Sequence, residues 1–268
     1  MPYAPVNGID LFYTEHGAGP ALVFCHGVGG NHASWHHQVP FFSRWHRVIA
    51  IDHRGFGNSR DLPESPGRSA FVDDLTGLLD HLGVERATLV AQSMGGGTAL
   101  GFALDHPDRT QALVMADTLG GITAPGRLAL RLEAVRKATN DLSQADRVVS
   151  RAFQQREPAR TQLYLDIASF NASNRFNMRG AAPSTPPTQA RLQALAGIPT
   201  LFMVGSDDVL YPTDVIEMAH WLVPGSEFQV IPDAGHSAYF EQPDAFNQLL
   251  YDFLARHGLG PARVPQRD

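Results

Sequence analysis

The sequence holds a single cysteine, Cys25, so no disulfide can form within the chain. No apolar run approaches the roughly 20 residues that a membrane-crossing helix needs. There is no basic excess: 21 Lys and Arg stand against 27 Asp and Glu, a net charge of −6, which argues against nucleic acid as a partner. A G-x-G-x-x-G fingerprint and a glycine-rich phosphate loop with lysine are both missing, so no nucleotide cofactor is implied. The opening "MPYAPVNGIDLFY" lacks the basic and apolar blocks of a secretory signal. These absences predict a soluble, cytoplasmic protein that uses no cofactor and touches neither membrane nor nucleic acid.

What is present is a globular composition. Hydrophobic residues make up 43% of the 268, with 25 Gly and 19 Pro to punctuate them, which is enough core for a large domain with many turns. Short apolar runs recur at "ALVFCHG" (21–27), "HRVIAID" (46–52), "ATLVAQS" (87–93) and "TQALVMAD" (110–117), and read as buried strands. Between them, "SAFVDDLTGLLDHLGV" (69–84) spaces Phe71, Val72, Leu75, Leu78, Leu79 and Leu82 for one helix face, with Ser69 as the expected N-cap and Gly83 as the stop. "GGGTALGFALDHP" (95–107) is a small-residue helix ended by Pro107. Strands alternating with helices predict an α/β fold with parallel pairing.

The rhythm breaks at residue 119. "GRLALRLEAVRKA", "SQADRVVSRAFQQ" and "ARTQLYLDIASFNAS" keep a helical pattern without strands, and "APSTPP" (182–187) reads as a bend. Strand form returns in "TLFMVGSDD" (200–208) and "SEFQVIPDAGH" (226–236), and "PDAFNQLLYDFLARHG" (243–258) closes with a helix before a tail expected to fray. The expected organisation is a core of 1–118 and 197–268, interrupted by a helical cap of 119–196. Charge divides the same way: 119–196 holds 11 Lys and Arg against 5 Asp and Glu, the remainder 10 against 22. The plain reading is a solvated helical face; the sharper one is a positive roof that attracts anionic substrates.

"VAQSMGGG" (90–97) raises the chemical question. Ser93 ends a strand and precedes a helix, so it is either an ordinary helix cap or a nucleophile on a tight turn. A strand that turns straight into a helix tolerates only small neighbours, and Ala91, Gly95 and Gly96 supply them in a variant of G-x-S-x-G with alanine first. The turn brings the Met94 N–H and the positive end of the helix beside the serine, where they favour a developing oxyanion. A second donor is expected from the Val28 N–H in "CHGVGGNH". A serine hydroxyl needs a base, and His236 in "IPDAGHSAYFEQP" follows the last strand with Gly235 beside it. The base needs an acid to orient it: Asp208 fits the register Gly205-x-x-Asp208-x-x-x-Pro212, with Asp207 as rival and Asp117 as a more distant one.

With "HGVGG", "DHRGFGNS" (52–59), "QSMGG", "GSDD…P" and "DAGH" in this order, the chain resembles the α/β-hydrolase fold superfamily from about residue 6 to 257, in particular its capped esterases and enol-lactonases. The resemblance implies a mostly parallel twisted sheet with helices on both faces and a cap inserted between strands six and seven. It also implies Asp208 as the acid, and Val28 and Met94 as oxyanion donors. Serine rather than aspartate at the elbow separates the chain from the epoxide hydrolase and haloalkane dehalogenase branches. The expected function is hydrolysis of small carboxylic esters or lactones through an acyl-enzyme. Two alternatives stand beside it: carbon–carbon hydrolysis of diketone ring-fission products, and a non-catalytic ligand receptor on a hydrolase scaffold.

Other polar residues have structural readings. His26 is expected to hold the anion loop, Asp52 and Arg54 to pair within "DHRGFGNS", and Cys25 to be a buried apolar residue. His32, His36 and His37 in "NHASWHH" lack the carboxylate of a zinc helix, so no metal site is expected. Leu119, Phe153, Leu163, Tyr164 and Phe170 are expected mostly as cap core, with a few over the pocket.

Overall fold

A computed structural model describes residues 2–62, 64, 66–171 and 187–261. Eight strands form one sheet in the order β1-β2-β4-β3-β5-β6-β7-β8, with β1 (Tyr3–Val6), β2 (Ile9–His16), β3 (Ala21–Cys25), β4 (Arg47–Ile51), β5 (Ala87–Gln92), β6 (Thr110–Ala116), β7 (Thr200–Gly205) and β8 (Glu227–Ile231). From β4 to β8 every pair is parallel, while β2 runs antiparallel to both β1 and β4.

The antiparallel hairpin β1–β2 does not follow from the apolar runs alone, and its turn explains it. Asn7 and Gly8 take φ of 45° and 80°, between the paired residues Val6 and Ile9. Asn-Gly with both residues in the left-handed region is the tight hairpin turn that matches strand twist.

The central strands are fully buried because both faces are covered. In β3, Val23 and Cys25 face one core while Leu22 and Phe24 face the other. In β6, Leu113 and Met115 alternate with Ala112, Val114 and Ala116 in the same manner. The period of two explains why these strands read as unbroken apolar runs. The first core is closed by α2 (Phe71–His81) and α3 (Gly95–Asp105), the second by α1 (Gln38–Phe42) and the last helix, Pro243–Arg256.

Several local expectations need correction. α2 starts at Phe71 after a 3-10 turn, Gly67–Ala70, and Ser69 bonds the Pro66 carbonyl rather than capping the helix. Gly83 does take the left-handed conformation just past its end, with φ 63°. Arg54 does not pair with Asp52. It is buried against Asp74 in a two-point contact, Nε to Oδ2 and Nη2 to Oδ1 at 2.7 Å each. Asp52 instead accepts from the His32 ring at 2.8 Å and from the Asn58 N–H at 2.8 Å, so it joins two loops.

Between β6 and β7 the described residues form helices and no strand: α4 (Gly126–Thr139), α5 (Gln144–Val148), α6 (Arg151–Arg156), α7 (Pro158–Ser169) and a short turn of helix at Gln189–Leu192. The helical pattern over 143–155 is realised as two helices, because Ser143 and Ser150 each cap a new start with the side-chain oxygen. Leu119, Phe153 and Tyr164 are buried, whereas Leu163 and Phe170 are exposed and belong to no core. Nearly all of the expected bend at 182–187, and most of the tail, lie outside the described residues.

Candidate active site

Ser93 sits directly after β5 with φ 50°, a conformation that costs a side-chain-bearing residue energy and persists only where surroundings enforce it. They do so from several sides. The Ser93 N–H donates to the Ala116 carbonyl at 3.1 Å, and Thr118 Oγ1 donates to the Ser93 carbonyl at 2.7 Å. Gly95 lies against the backbone of Cys25 and His26, where a Cβ would come within 2.7 Å of the Cys25 carbonyl carbon. Gly96 is pressed on the Thr118 side chain, also with no room for a Cβ. The glycines after the serine are therefore demanded by close approach. α3 begins without a side-chain cap, so the Ser93 hydroxyl is not consumed there.

That hydroxyl meets His236. Ser93 Oγ and His236 Nε2 are 2.9 Å apart, and His236 Nδ1 is 2.9 Å from Asp208 Oδ2. A carboxylate only accepts, so Nδ1 carries the proton and Nε2 is left to accept from the serine. Asp208 is itself fixed: its Oδ1 accepts from the Leu210 and Tyr211 N–H groups at 2.8 and 3.0 Å. The His236 carbonyl accepts from Gln92 Nε2 at 2.7 Å, tying the histidine loop back to the serine strand. All three side chains stand at the carboxyl ends of parallel strands, where open α/β sheets put their sites.

The two rival acids do not join this chain. Asp207 is exposed and bonded to Ser206. Asp117 is fully buried under the site, with φ 51° and Oδ1 accepting from the Gly205 N–H at 2.9 Å. Burial, reinforced by the nearby Asp208 carboxylate, holds its carboxyl well above the usual range. Asp117 thus braces the end of β6 against the end of β7.

Val28 and Met94 flank the serine. Their N–H groups donate to no other described residue. The loop carrying Val28 is held from behind: His26 Nδ1 bonds the Gly27 carbonyl at 2.7 Å, and the His53 N–H donates to His26 Nε2 at 3.0 Å. Burial pushes the His26 imidazole down to about 4, so it remains neutral in this role. Cys25 is fully buried, and its thiol is pushed up to about 12 by that burial. His32 is occupied by Asp52 and His36 bonds the Ala33 carbonyl.

Two cavities meet at Ser93. One, of about 540 Å³, runs under α4 past Leu132, Val135, Thr139 and Tyr211. The other, of about 600 Å³, is bounded by Val28, Gly29, Leu142, Val148, Tyr164 and His236. Residues from 119–196 and from the sheet therefore share the space around the serine.

Reading the residues in order did not single out Glu241, Arg147 or Gln92. Glu241 is buried and accepts from Gly235 N–H (2.9 Å), Ser150 N–H (3.1 Å) and Ser150 Oγ (2.7 Å). It joins the start of α6 to the residue preceding His236, and burial raises its carboxyl to about 7. Nothing in its local sequence marks these partners, which lie 6 and 91 positions away.

With a strand–serine–helix elbow, a histidine and an aspartate at three strand ends, the chain belongs to the α/β hydrolase fold family; the family model matches residues 20–243. Among its relatives is a 2-hydroxy-6-oxononadienedioate/2-hydroxy-6-oxononatrienedioate hydrolase of Paraburkholderia phymatum, 31% identical over 92% of each chain. Similar solved structures include an esterase of Thermogutta terrifontis, with TM-score 0.80, 26% identity and 96% and 98% of the two chains covered. An enol-lactonase of Burkholderia xenovorans gives TM-score 0.78 at 27% identity, with 94% and 99% covered.

Proposed function

We propose that this protein is a serine-dependent hydrolase of small carboxylic esters or lactones. The observation that carries the proposal is the unbroken chain from Ser93 Oγ through the His236 ring to Asp208, 2.9 Å at each step. Ser93 attacks the carbonyl carbon while His236 Nε2 takes its proton. Asp208 keeps the ring in the required tautomer and stabilises the imidazolium that forms. The Val28 and Met94 N–H groups hold the oxyanion, each such donor accounting typically for about 10² to 10³ in turnover. His236 then returns the proton to the departing alkoxide. Water, activated by the same imidazole, releases the acyl group and restores Ser93.

In this reading 1–118 and 197–268 form the catalytic core, and 119–196 is a cap whose helices line both cavities and set substrate size. The same residues would serve carbon–carbon hydrolysis of diketone ring-fission products. The relative at 31% identity, named for such a substrate, supports that reaction at least as well as ester cleavage.

The test is turnover of a short aryl ester, a lactone and a ring-fission diketone by the native protein and by Ser93→Ala. Loss of all measurable turnover in the variant supports the serine mechanism, and the relative kcat/KM values decide the reaction. Stoichiometric binding of a ligand with negligible turnover by the native chain would instead favour a receptor.

A further inference from the structure

The charge of the 119–196 stretch is not an evenly positive roof. Arg131 pairs with Asp214 at 2.7 Å, Arg191 with Asp105 at 2.6 Å and Arg151 with Asp146 at 3.5 Å. Arg136 and Lys137 share Glu133. Arg160 donates to the Phe240 carbonyl and lies over the Phe153 ring. Arg147 differs from these in both position and partners.

Arg147 lines both cavities, and Ser93 and Leu210 are the other residues common to the two. Its Nη2 donates to the Thr139 and Asn140 carbonyls at 2.9 and 2.6 Å, which clamps the guanidinium to the end of α4. No carboxylate among the described residues forms an ion pair with it. Its Nε is shut off from water with no acceptor among the described residues. Nη1 likewise makes no hydrogen bond to a described residue. The side chain is half-buried, so this is a fixed cation with an unused Nη1 donor, lining the same two cavities as the reacting serine. The acidic residue that lines one of these cavities, Glu133, is paired with its two cationic neighbours, Arg136 and Lys137, rather than with Arg147.

From this juxtaposition we infer that Arg147 is a specificity-determining residue that binds a carboxylate on the substrate. The inference rests on Ser93 being the reacting centre. The preferred substrate is then an ester, lactone or diketone whose carbonyl sits at Ser93 and whose second functional group is an anionic carboxylate reaching the guanidinium. Because Arg147 borders both cavities, the carboxylate can belong to either side of the scissile bond. A carboxylate is the acceptor that a guanidinium fork matches best, and a site that excludes part of the water strengthens the contact.

A matched pair of substrates reads this directly: para-nitrophenyl hydrogen glutarate, which carries a free carboxylate, and its methyl ester, which does not. The native protein is expected to favour the acid in kcat/KM by about 10- to 100-fold, the range for a charge-assisted hydrogen bond. Arg147→Gln should bring the ratio close to one, mainly through KM for the acid, and Arg147→Lys should retain part of it. If Arg147 only caps α4, Arg147→Gln slows both substrates alike and leaves the ratio where it was, and the inference is overturned. Equal use of the two substrates by the native protein overturns it as well.

A binding measurement separates this inference from the mechanism beneath it. Glutarate titrated into the Ser93→Ala protein should bind about 10- to 100-fold more tightly than into the Ser93→Ala, Arg147→Gln protein. That difference would uphold the subsite even if ester turnover survived Ser93→Ala, an outcome that would sink the serine mechanism alone. Equal glutarate binding by the two proteins would reject the subsite.

Discussion

Replacing Asp208 by asparagine tests the tautomer on which the proposed mechanism depends. Asp208 Oδ1 accepts from two backbone N–H groups, those of Leu210 and Tyr211. The asparagine oxygen must stay at that position, since an amide NH2 there would face two donors. Its NH2 is then turned toward His236 Nδ1, which Oδ2 now contacts at 2.9 Å. Nδ1 becomes the acceptor, the ring proton moves to Nε2, and Nε2 points a hydrogen at Ser93 Oγ instead of a lone pair. The hydroxyl loses its base although no side chain has moved. A wrong-tautomer histidine costs a serine triad about 10⁴ in kcat, which corresponds to roughly 5 kcal/mol of transition-state stabilisation. The assay is the steady-state hydrolysis of a para-nitrophenyl ester at neutral pH, with Tm measured alongside. Asp207→Asn, in an exposed residue outside the chain of contacts, serves as the control and should retain native rates. An Asp208→Asn enzyme that keeps its Tm and loses less than tenfold in kcat would refute the assigned tautomer.

Further outcomes follow from other contacts. Gly95→Ala drives a Cβ into the Cys25 and His26 backbone, and should lower stability by about 1–3 kcal/mol in denaturant unfolding while displacing the serine. Asp74→Ala leaves the buried Arg54 guanidinium only Asp61 at 3.5 Å and the Asn7 carbonyl at 3.2 Å, and should cost about 3 kcal/mol in the same measurement. Glu241, raised from 4.5 to about 7, takes up its proton in the folded chain before the unfolded chain does. Its stabilising contribution is therefore complete below about pH 4.5 and lost as pH rises through about 7. Compared across that window, native and Glu241→Gln proteins should diverge in their pH dependence of stability by on the order of 3 kcal/mol; parallel curves would mean the carboxyl is not raised.

How much of this was legible in the residues depends on where the causes lie. The five strands β3 to β7 are readable because a strand covered on both faces has almost no polar interruption, as in "ALVFC" and "ATLVAQ", whereas β8 is a half-exposed edge strand. The β1–β2 hairpin is faint in the sequence although Asn7-Gly8 marks its turn, because period-two alternation in a short edge strand is weaker than an unbroken apolar run. Ser93, Asp208 and His236 were legible because each follows a strand at a motif position, and the structure brings these three within hydrogen-bond reach. The Arg54 partner is misleading in sequence because Asp74 is 20 residues away on α2, while Asp52 is only two positions away. The same limit hid Glu241 and Arg147, whose meaning comes from neighbours that only the tertiary fold supplies.

Labelling with a fluorophosphonate, read by intact mass and peptide mapping, asks whether one hydroxyl in this protein is activated. The native chain should take up a single phosphonyl group, located on Ser93, and Ser93→Ala should take up none. A native protein that stays unlabelled, or an adduct that persists in the variant, would contradict the assignment of Ser93 as the nucleophile.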